Sequence, residues 1–350
     1  MRHVIGLIAD VQYADIEDVW NFMKTHKRKY RGTLTALRNA VDWWSEQKGL
    51  DLVVDLGDAI DGFRNETREA GMHALRCVMG EWNRLIEIKS EVPLLHLIGN
   101  HELYKFTREE LTHGVENTGF CCGFPGNVPI QASPKTSLYY TFQLSSSSPW
   151  RAVVLDPYEM SLMTGGGGRI GHELTIANGG INAEYAQLCQ SGNPNDILKG
   201  TNFFEGVSGP ASRWTPFNGG IGETQILWLE TVLSQAVFSN EKVIVFTHVI
   251  LHPEATSSGN CQTLLWNYEV VLKMFARHPC VRMVFAGHAH QPQYAFCAET
   301  KIHHVTLASP LEAPEELVES TFGMLEISDD DKTAVLTGKG AVPSMELCLY

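Results

Sequence analysis

Short apolar runs recur along the chain, and they share one habit: each ends abruptly at residues that carry chemistry. Residues 4–9 break at Asp10, with Gln12 two positions on. Residues 50–58 close on Gly57 and Asp58, and residues 92–102 on Gly99, Asn100, His101 and Glu102. Residues 242–247 run into His248, and 281–286 into Gly287, His288, Ala289 and His290. Brief runs without polar alternation predict strands buried on both faces. Between them, Leu34, Leu37, Ala40, Val41 and Trp44 recur at helical spacing, which predicts a helix over 34–48. Another is predicted over 67–89, with Ala70, Ala74, Leu75, Val78, Trp82, Leu85 and Ile86 inward, and two more over 225–237 and 261–278. Residues 138–144 and 151–155 read as two antiparallel strands, and 305–307 and 323–327 as further strands.

From 157 to 222 the pattern fails. The stretches TGGGGRIG, NGGINAEY and FNGGIGETQ are glycine-rich and weakly periodic, so this region reads as an irregular insert within one domain spanning 1–350. Strands alternating with helices predict an α/β class, layered around a central pair of sheets. In such sheets ligands gather beyond the carboxyl ends of the strands. Chance is a poor explanation for five runs that each end in a candidate ligand.

Composition narrows the partners. With 27 basic and 40 acidic residues the net charge is −13, which excludes the basic face of a nucleic-acid binder and disfavours anionic lipid. A small anionic substrate stays compatible, because bound cations can dominate a local field. The opening MRHVIGLIADVQ lacks the features of a signal peptide, and no window approaches the roughly 18 apolar residues of a membrane span. Eight cysteines without a C-x-x-C pair read as reduced thiols of a cytoplasmic protein. No heptad or exposed apolar stripe demands a partner chain, so a monomer is expected.

In order along the chain stand D-x-Q (Asp10, Gln12), G-D-x-x-D (Gly57, Asp58, Asp61), G-N-H-E (Gly99, Asn100, His101, Glu102), a lone His248, and G-H-x-H (Gly287, His288, His290). Each motif is weak alone. Together, over roughly residues 1–310, the set resembles the calcineurin-like metallophosphoesterase family. That resemblance implies a four-layer α/β/β/α sandwich with two packed mixed sheets, and a site for two divalent metal ions. Asp10, Gln12, Asp58 and His290 would hold one ion. Asp58 would bridge to the second, held also by Asn100, His248 and His288. His101 would stand beside the leaving group as proton donor, with Asp61 orienting it; a carboxylate fixes the imidazole tautomer and favours its charged form.

One position departs from the commonest pattern, in which histidine stands where this chain has Gln12. Glutamine offers a harder oxygen, which suits manganese or magnesium better than zinc. The departure resembles manganese-dependent members of the family, which implies manganese as the cofactor, with magnesium, zinc and iron as other occupants. The segment ADVQYAD resembles the first motif of the manganese-dependent ADP-ribose/CDP-alcohol diphosphatases. This implies small nucleoside diphosphate substrates: ADP-ribose, CDP-choline, CDP-ethanolamine or CDP-glycerol, cleaved to a nucleoside monophosphate and a phosphorylated partner. A cyclic nucleotide phosphodiesterase stays open as an alternative. A protein phosphatase would typically show arginines where this chain has Gly62 and Ile98. A scaffold without activity would typically have lost ligands that are all present here.

Tyr13, Phe22, Cys261 and residues 202–204 are candidates for a nucleobase pocket, with core packing the competing fate of either ring. His252 reads as a loop residue, His303 and His304 as structural, and glycines 165–168 as a loop without a phosphate-binding pattern. The basic run KTHKRKYRG, 24–32, reads either as a solvated helix start or as a rim that steers an anionic substrate.

Overall fold

Alternate residues of each apolar run enter two different cores. In the first strand, Ile5 and Leu7 join one buried cluster while Val4 and Ile8 join another. Burial on both faces is the reason the run shows no polar alternation. The computed structural model describes residues 2–21, 24–124, 137–163, 182–199 and 202–350. Their strands are β1 (His3–Ile8), β2 (Val19–Trp20), β3 (Lys27–Arg28), β4 (Leu50–Asp55), β5 (Leu94–His96), β6 (Tyr140–Gln143) and β7 (Trp150–Val154). There follow β8 (Lys242–Phe246), β9 (Val281–Ala286), β10 (Gln293–Cys297), β11 (Ile302–Thr306), β12 (Phe322–Ile327), β13 (Thr333–Lys339) and β14 (Met345–Cys348). The helices are α1 (Tyr30–Ser45), α2 (Arg68–Ile88), α3 (Asn100–Leu103), α4 (Arg108–His113), α5 (Ala183–Gly192), α6 (Glu223–Phe238) and α7 (Tyr268–Arg277).

Two mixed sheets result. The first runs β14-β13-β12-β1-β4-β5, with β1, β4 and β5 parallel. The second runs β10-β11-β9-β8-β7-β6, with its four central strands parallel and both edges antiparallel. Ile5, Leu7, Leu52 and Val54 of the first sheet meet Trp150, Phe246 and Phe285 of the second in the inner core. Outside the first sheet, Leu37, Val41 and Trp44 of α1 pack with Leu75, Val78 and Trp82 of α2. The Trp44 and Trp82 rings stack at 6.1 Å. Outside the second sheet, Leu229 and Leu233 of α6 and Met274 and Phe275 of α7 pack with Val243, Val245 and Val284. The layers are therefore α/β/β/α, as the motifs implied.

Several boundaries differ from the sequence reading. The first helix starts at Tyr30, ahead of the periodic stripe, because Tyr30 is fully buried and anchors it. The run 92–102 holds only the three residues of β5; Asn100 already opens a helical turn. The helix expected from 261 starts at Tyr268, because Cys261 sits at φ 60° and the next residues are tied elsewhere: Ile250 pairs with Leu264, and Trp266 N–H donates to Gly219 O. Ile86, expected inward, is exposed. The insert 157–222 contains α5, while glycines 165–168 lie outside the described residues. An apolar surface does exist on α6, where Leu227 and Phe238 are exposed. No described helix is long and apolar enough to cross a membrane.

Candidate metal centre

The carboxyl ends of β1, β4 and β5 in one sheet and of β8 and β9 in the other deliver every candidate ligand. Backbone bonds zip the loops together beyond the strands. Asp10 N–H donates to Gly57 O (3.1 Å), Gln12 N–H to Asp58 O (2.7 Å), and Gly287 N–H to His248 O (3.1 Å). The Ser309 hydroxyl donates to Asp10 O at 2.7 Å, while Ser309 N–H donates to His290 O at 3.0 Å. Asp10, Gln12, Asp58, His288 and His290 all have positive φ, from 41° to 70°. The chain turns at each of these residues, which throws their side chains into one space. Gly99 permits the closest approach, since a Cβ there would lie 2.0 Å from Asp58 Oδ1.

Asp58 lies at the centre. Its Oδ1 accepts His101 N–H at 2.8 Å, and its Oδ2 accepts Gln12 Nε2 at 3.0 Å and lies 3.4 Å from His248 Nε2. Donor atoms of Asp58, His248 and His288 all fall within 4.8 Å of one another. Asp10 Oδ1 lies 3.5 Å from His290 Nε2 and 4.0 Å from His248 Nε2, and both Asp10 oxygens accept His288 N–H. Asn100 opens α3, but its carboxamide is held between tyrosines: Nδ2 donates to Tyr104 Oη (2.8 Å), and Oδ1 accepts from Tyr158 Oη (3.2 Å). One lone pair of Oδ1 stays available to a cation.

Each imidazole is tied through one nitrogen, which aims the other. His248 Nδ1 bonds Leu56 O (2.7 Å), His288 Nε2 bonds Asn218 Oδ1 (2.8 Å), and His290 Nδ1 faces Glu312 Oε1 (3.1 Å). A carbonyl or carboxylate on the far nitrogen is the usual way a ligating imidazole is oriented. His248 Nε2 and Gln12 Oε1 are buried with no well-aligned partner among the described residues. Carboxylates and imidazoles converge around His248 Nε2, with the Gln12 amide beside Asp58 and His290, a donor set that fits divalent cations such as manganese. The amide ends of Gln12 are near-isosteric, so rotation would turn its oxygen into the same space.

Without cations the charges compensate one another. Burial would raise the Asp58 carboxyl, but His248 and His101 hold it well below the usual range. Burial would lower His248, yet Asp58 and then Asp10 keep it up at about 10. Asp10 is raised, burial outweighing His248 and His290. His288 is pushed well down by burial and by the adjacent His248. Glu102 is pushed up to about 8, by burial and then by Asp58 and Asp55.

His101 stands beside this cluster, with Nε2 4.0 Å from Asp58 Oδ2. Its Nδ1 lies 3.5 Å from Asp61 Oδ1 and faces Gly62 N–H at 3.1 Å. Burial lowers its pKa, but Asp58 and Asp61 outweigh that and the net shift is upward. A protonated ring held by Asp61 and a neutral ring accepting from Gly62 both leave a proton on Nε2.

The pocket candidates fare differently. Tyr13 is buried in the outer core, where its hydroxyl faces Cys77, so packing accounts for the ring. Cys261 is buried with Ile250, Leu264 and Ala286, behind the G-H-x-H turn. Phe22 lies outside the described residues. Phe203 and Phe204 join Phe217 in an edge-packed aromatic group, and Phe217 lies 6.0 Å from His288. Sequence reasoning gave no role to Asn218, Glu312 or Glu102. Only Glu102 carried a signal, as the last residue of G-N-H-E. Its carboxylate accepts backbone N–H from Asp58, Ala59 and Gly99, and so fixes the turn that presents Asp58.

Comparison with known proteins agrees with this geometry. Residues 3–292 match the calcineurin-like phosphoesterase family. The chain belongs to that family. As a calcineurin-like phosphoesterase it is a metal-dependent hydrolase. It is 33% identical over 344 residues to the human manganese-dependent ADP-ribose/CDP-alcohol diphosphatase, covering 97% of this chain and 90% of that one. The Arabidopsis thaliana protein of the same name is 33% identical, covering 95% of this chain and 94% of that one. A crystal structure of a dimetal phosphatase from Danio rerio superposes with a TM-score of 0.79 at 31% identity, covering 99% of both chains.

Proposed function

We propose that this calcineurin-like phosphoesterase is a manganese-dependent diphosphatase. It hydrolyses ADP-ribose or CDP-alcohols to a nucleoside monophosphate and a phosphorylated partner. The reading is carried by similarity that runs the length of the chain to relatives bearing that activity in their names. Asp10, Gln12, Asp58 and His290 would hold one ion, and Asp58, Asn100, His248 and His288 the other. Bound there, two divalent ions supply an activated water at neutral pH and neutralise charge on the phosphoryl oxygens.

The chain's own residues do the rest. Glu102 presents Asp58 by accepting the backbone N–H groups of Asp58, Ala59 and Gly99. Leu56 O, Asn218 and Glu312 keep the three imidazoles aimed inward. As water oxygen bonds to phosphorus and the anhydride P–O bond breaks, His101 Nε2–H donates to the departing oxygen. Phe203, Phe204 and Phe217 offer ring faces on which a nucleobase could stack, worth about 1–3 kcal/mol. A protein phosphatase reading is disfavoured by space: a Cβ at Gly62 would lie 1.9 Å from His101 O, so no phosphate-gripping arginine fits there. All eight cysteines are unpaired, which supports a reducing, cytoplasmic setting.

The test is a panel of ADP-ribose, CDP-choline, a cyclic nucleotide and a phosphopeptide, each with manganese, magnesium and zinc. Fastest turnover of a diphosphate with manganese is expected. Faster cleavage of the cyclic nucleotide, or full activity after exhaustive chelation, overturns the reading.

A further inference from the structure

His290 and His101 come from different sheets, yet one line of buried charge joins them. Glu312 Oε1 lies 3.1 Å from His290 Nδ1 and accepts Arg28 Nε–H at 2.8 Å. The other limb of the guanidinium, Nη1, faces Asp61 Oδ2 at 3.9 Å, an ion-pair distance. Asp61 Oδ2 is buried with no hydrogen-bond partner among the described residues, and Asp61 Oδ1 lies 3.5 Å from His101 Nδ1. The Glu312 and Asp61 side chains are 7% and 1% exposed, while Arg28 is 25% exposed. Two carboxylates this deeply buried require a cation, and Arg28 stands between them.

The hairpin that carries Arg28 is fixed to the loop that carries Glu312. Lys29 N–H donates to Leu311 O at 2.9 Å, and the Lys29 ammonium donates to Ala313 O, so Lys29 brackets Glu312 on both sides. Glu312 Oε2 also accepts from Asn21 Nδ2 at 3.3 Å. Within the basic run 24–32, Arg28 is thus neither a solvated helix start nor a steering rim.

The geometry points to Arg28 as a positioning residue shared by the two halves of the centre. Through Glu312 it sets the ring of His290, and through Asp61 it sets the ring of His101. This rests on the reading above of His290 as ligand and His101 as proton donor. The planar fork is what permits it: a guanidinium presents separate N–H groups to two carboxylates, whereas an ammonium is a single point of charge.

The experiment pairs two measurements on wild type, Arg28→Met, Arg28→Lys and Glu312→Gln. One is manganese affinity by equilibrium dialysis, which needs no turnover. The other is the ratio of kcat on a diphosphate to kcat on a phosphodiester with an alkoxide leaving group. Arg28→Met is expected to weaken manganese binding about tenfold, as partners behind metal ligands do, and to raise the ratio because diester cleavage suffers more. Arg28→Lys rescues neither. Glu312→Gln weakens manganese binding and also moves the ratio, although it does not touch His101. Wild-type values of both quantities in folded Arg28→Met overturn the inference, as does a change in only one of them. Should Arg28→Met fail to fold, Arg28→Lys and Glu312→Gln decide: wild-type behaviour in either sinks it. Wild-type protein inactive on diphosphates would count against the proposed function, while the dialysis result still judges the role of Arg28 behind His290.

Discussion

The two sheets contribute unlike halves to one site. The first sheet supplies acids and amides: Asp10, Gln12, Asp58 and Asn100 at the ends of β1, β4 and β5. The second supplies only histidines, at the ends of β8 and β9. The acidic half is held by backbone donors, with His101 N–H on Asp58 and His288 N–H on Asp10. The imidazole half is held by acceptors on its outward nitrogens. Carboxylates need hydrogen-bond donors if they are to stay charged when buried, and imidazoles need acceptors to fix which nitrogen is bare. Each half is oriented by the complement of its own chemistry, and two facing sheets can provide both.

Removing the acid shared by both halves should have the largest effect. Asp58→Ala is expected to lower kcat by on the order of a thousandfold or more, since Asp58 is the ligand we propose the two ions share. Elemental analysis should show metal content falling with it; a full complement of manganese would deny Asp58 its bridging place. His101→Ala should leave metal content intact. It is expected to slow phosphodiester cleavage by about 10²–10⁴, the range for a general acid. Diphosphate cleavage should suffer less, because a phosphate leaving group with a second pKa of about 6 needs less protonation than an alkoxide. Equal losses on the two substrates would argue that His101 donates no proton.

Sharper still is the contest between cation and proton. His248 sits at about 10 beside Asp58, so near neutral pH the metal-free ring carries a proton that a cation must displace. Manganese affinity should therefore rise with pH, about tenfold per unit for one displaced proton, and level off once pH passes the raised pKa. Titrations at several pH values, with proton release followed by an indicator dye, would show it; affinity flat in pH would contradict the pairing. On the imidazole side, Asn218→Ala is expected to weaken manganese binding about 10–100-fold with little change in the leaving-group preference. The smallest effect belongs to the backbone clamp. Glu102→Gln keeps one oxygen acceptor and leaves at least one buried N–H unmatched, a loss of about 1–3 kcal/mol that a denaturant titration would register.

Much of the candidate ligand set was legible in the sequence, on both sheets. Asp10, Asp58, His101 and the GHAH histidines follow apolar runs directly, and burial on both faces makes such runs stand out. What orients the imidazoles was not legible. Asn218 lies in a glycine-rich stretch without periodicity, and Glu312 in a loop whose neighbours show no pattern. Each reaches its histidine across a long sequence separation, so no local spacing records the contact. Arg28 misled for a related reason, since a basic run looks solvated until the carboxylates that face it are known. The helix expected from 261 failed because left-handed Cys261 and the bonding of 264–266 override local preference. Tyr13 shows the same limit at the scale of one ring: proximity to a motif along the chain did not bring it to the open side of the centre.

Left-handed turns at Asp10, Gln12, Asp58, His288 and His290 have a bearing on durability. A residue with a Cβ held there stores about 1–2 kcal/mol of steric tension, and the surrounding sheets must supply it whether or not cations are bound. Glycine at Gln12 or His288 would relax that tension while discarding a ligand. Against that relief stand the chain entropy that glycine adds and the buried bonds that Gln12 and His288 make, so these turns are held by what their side chains touch as much as by the sheets.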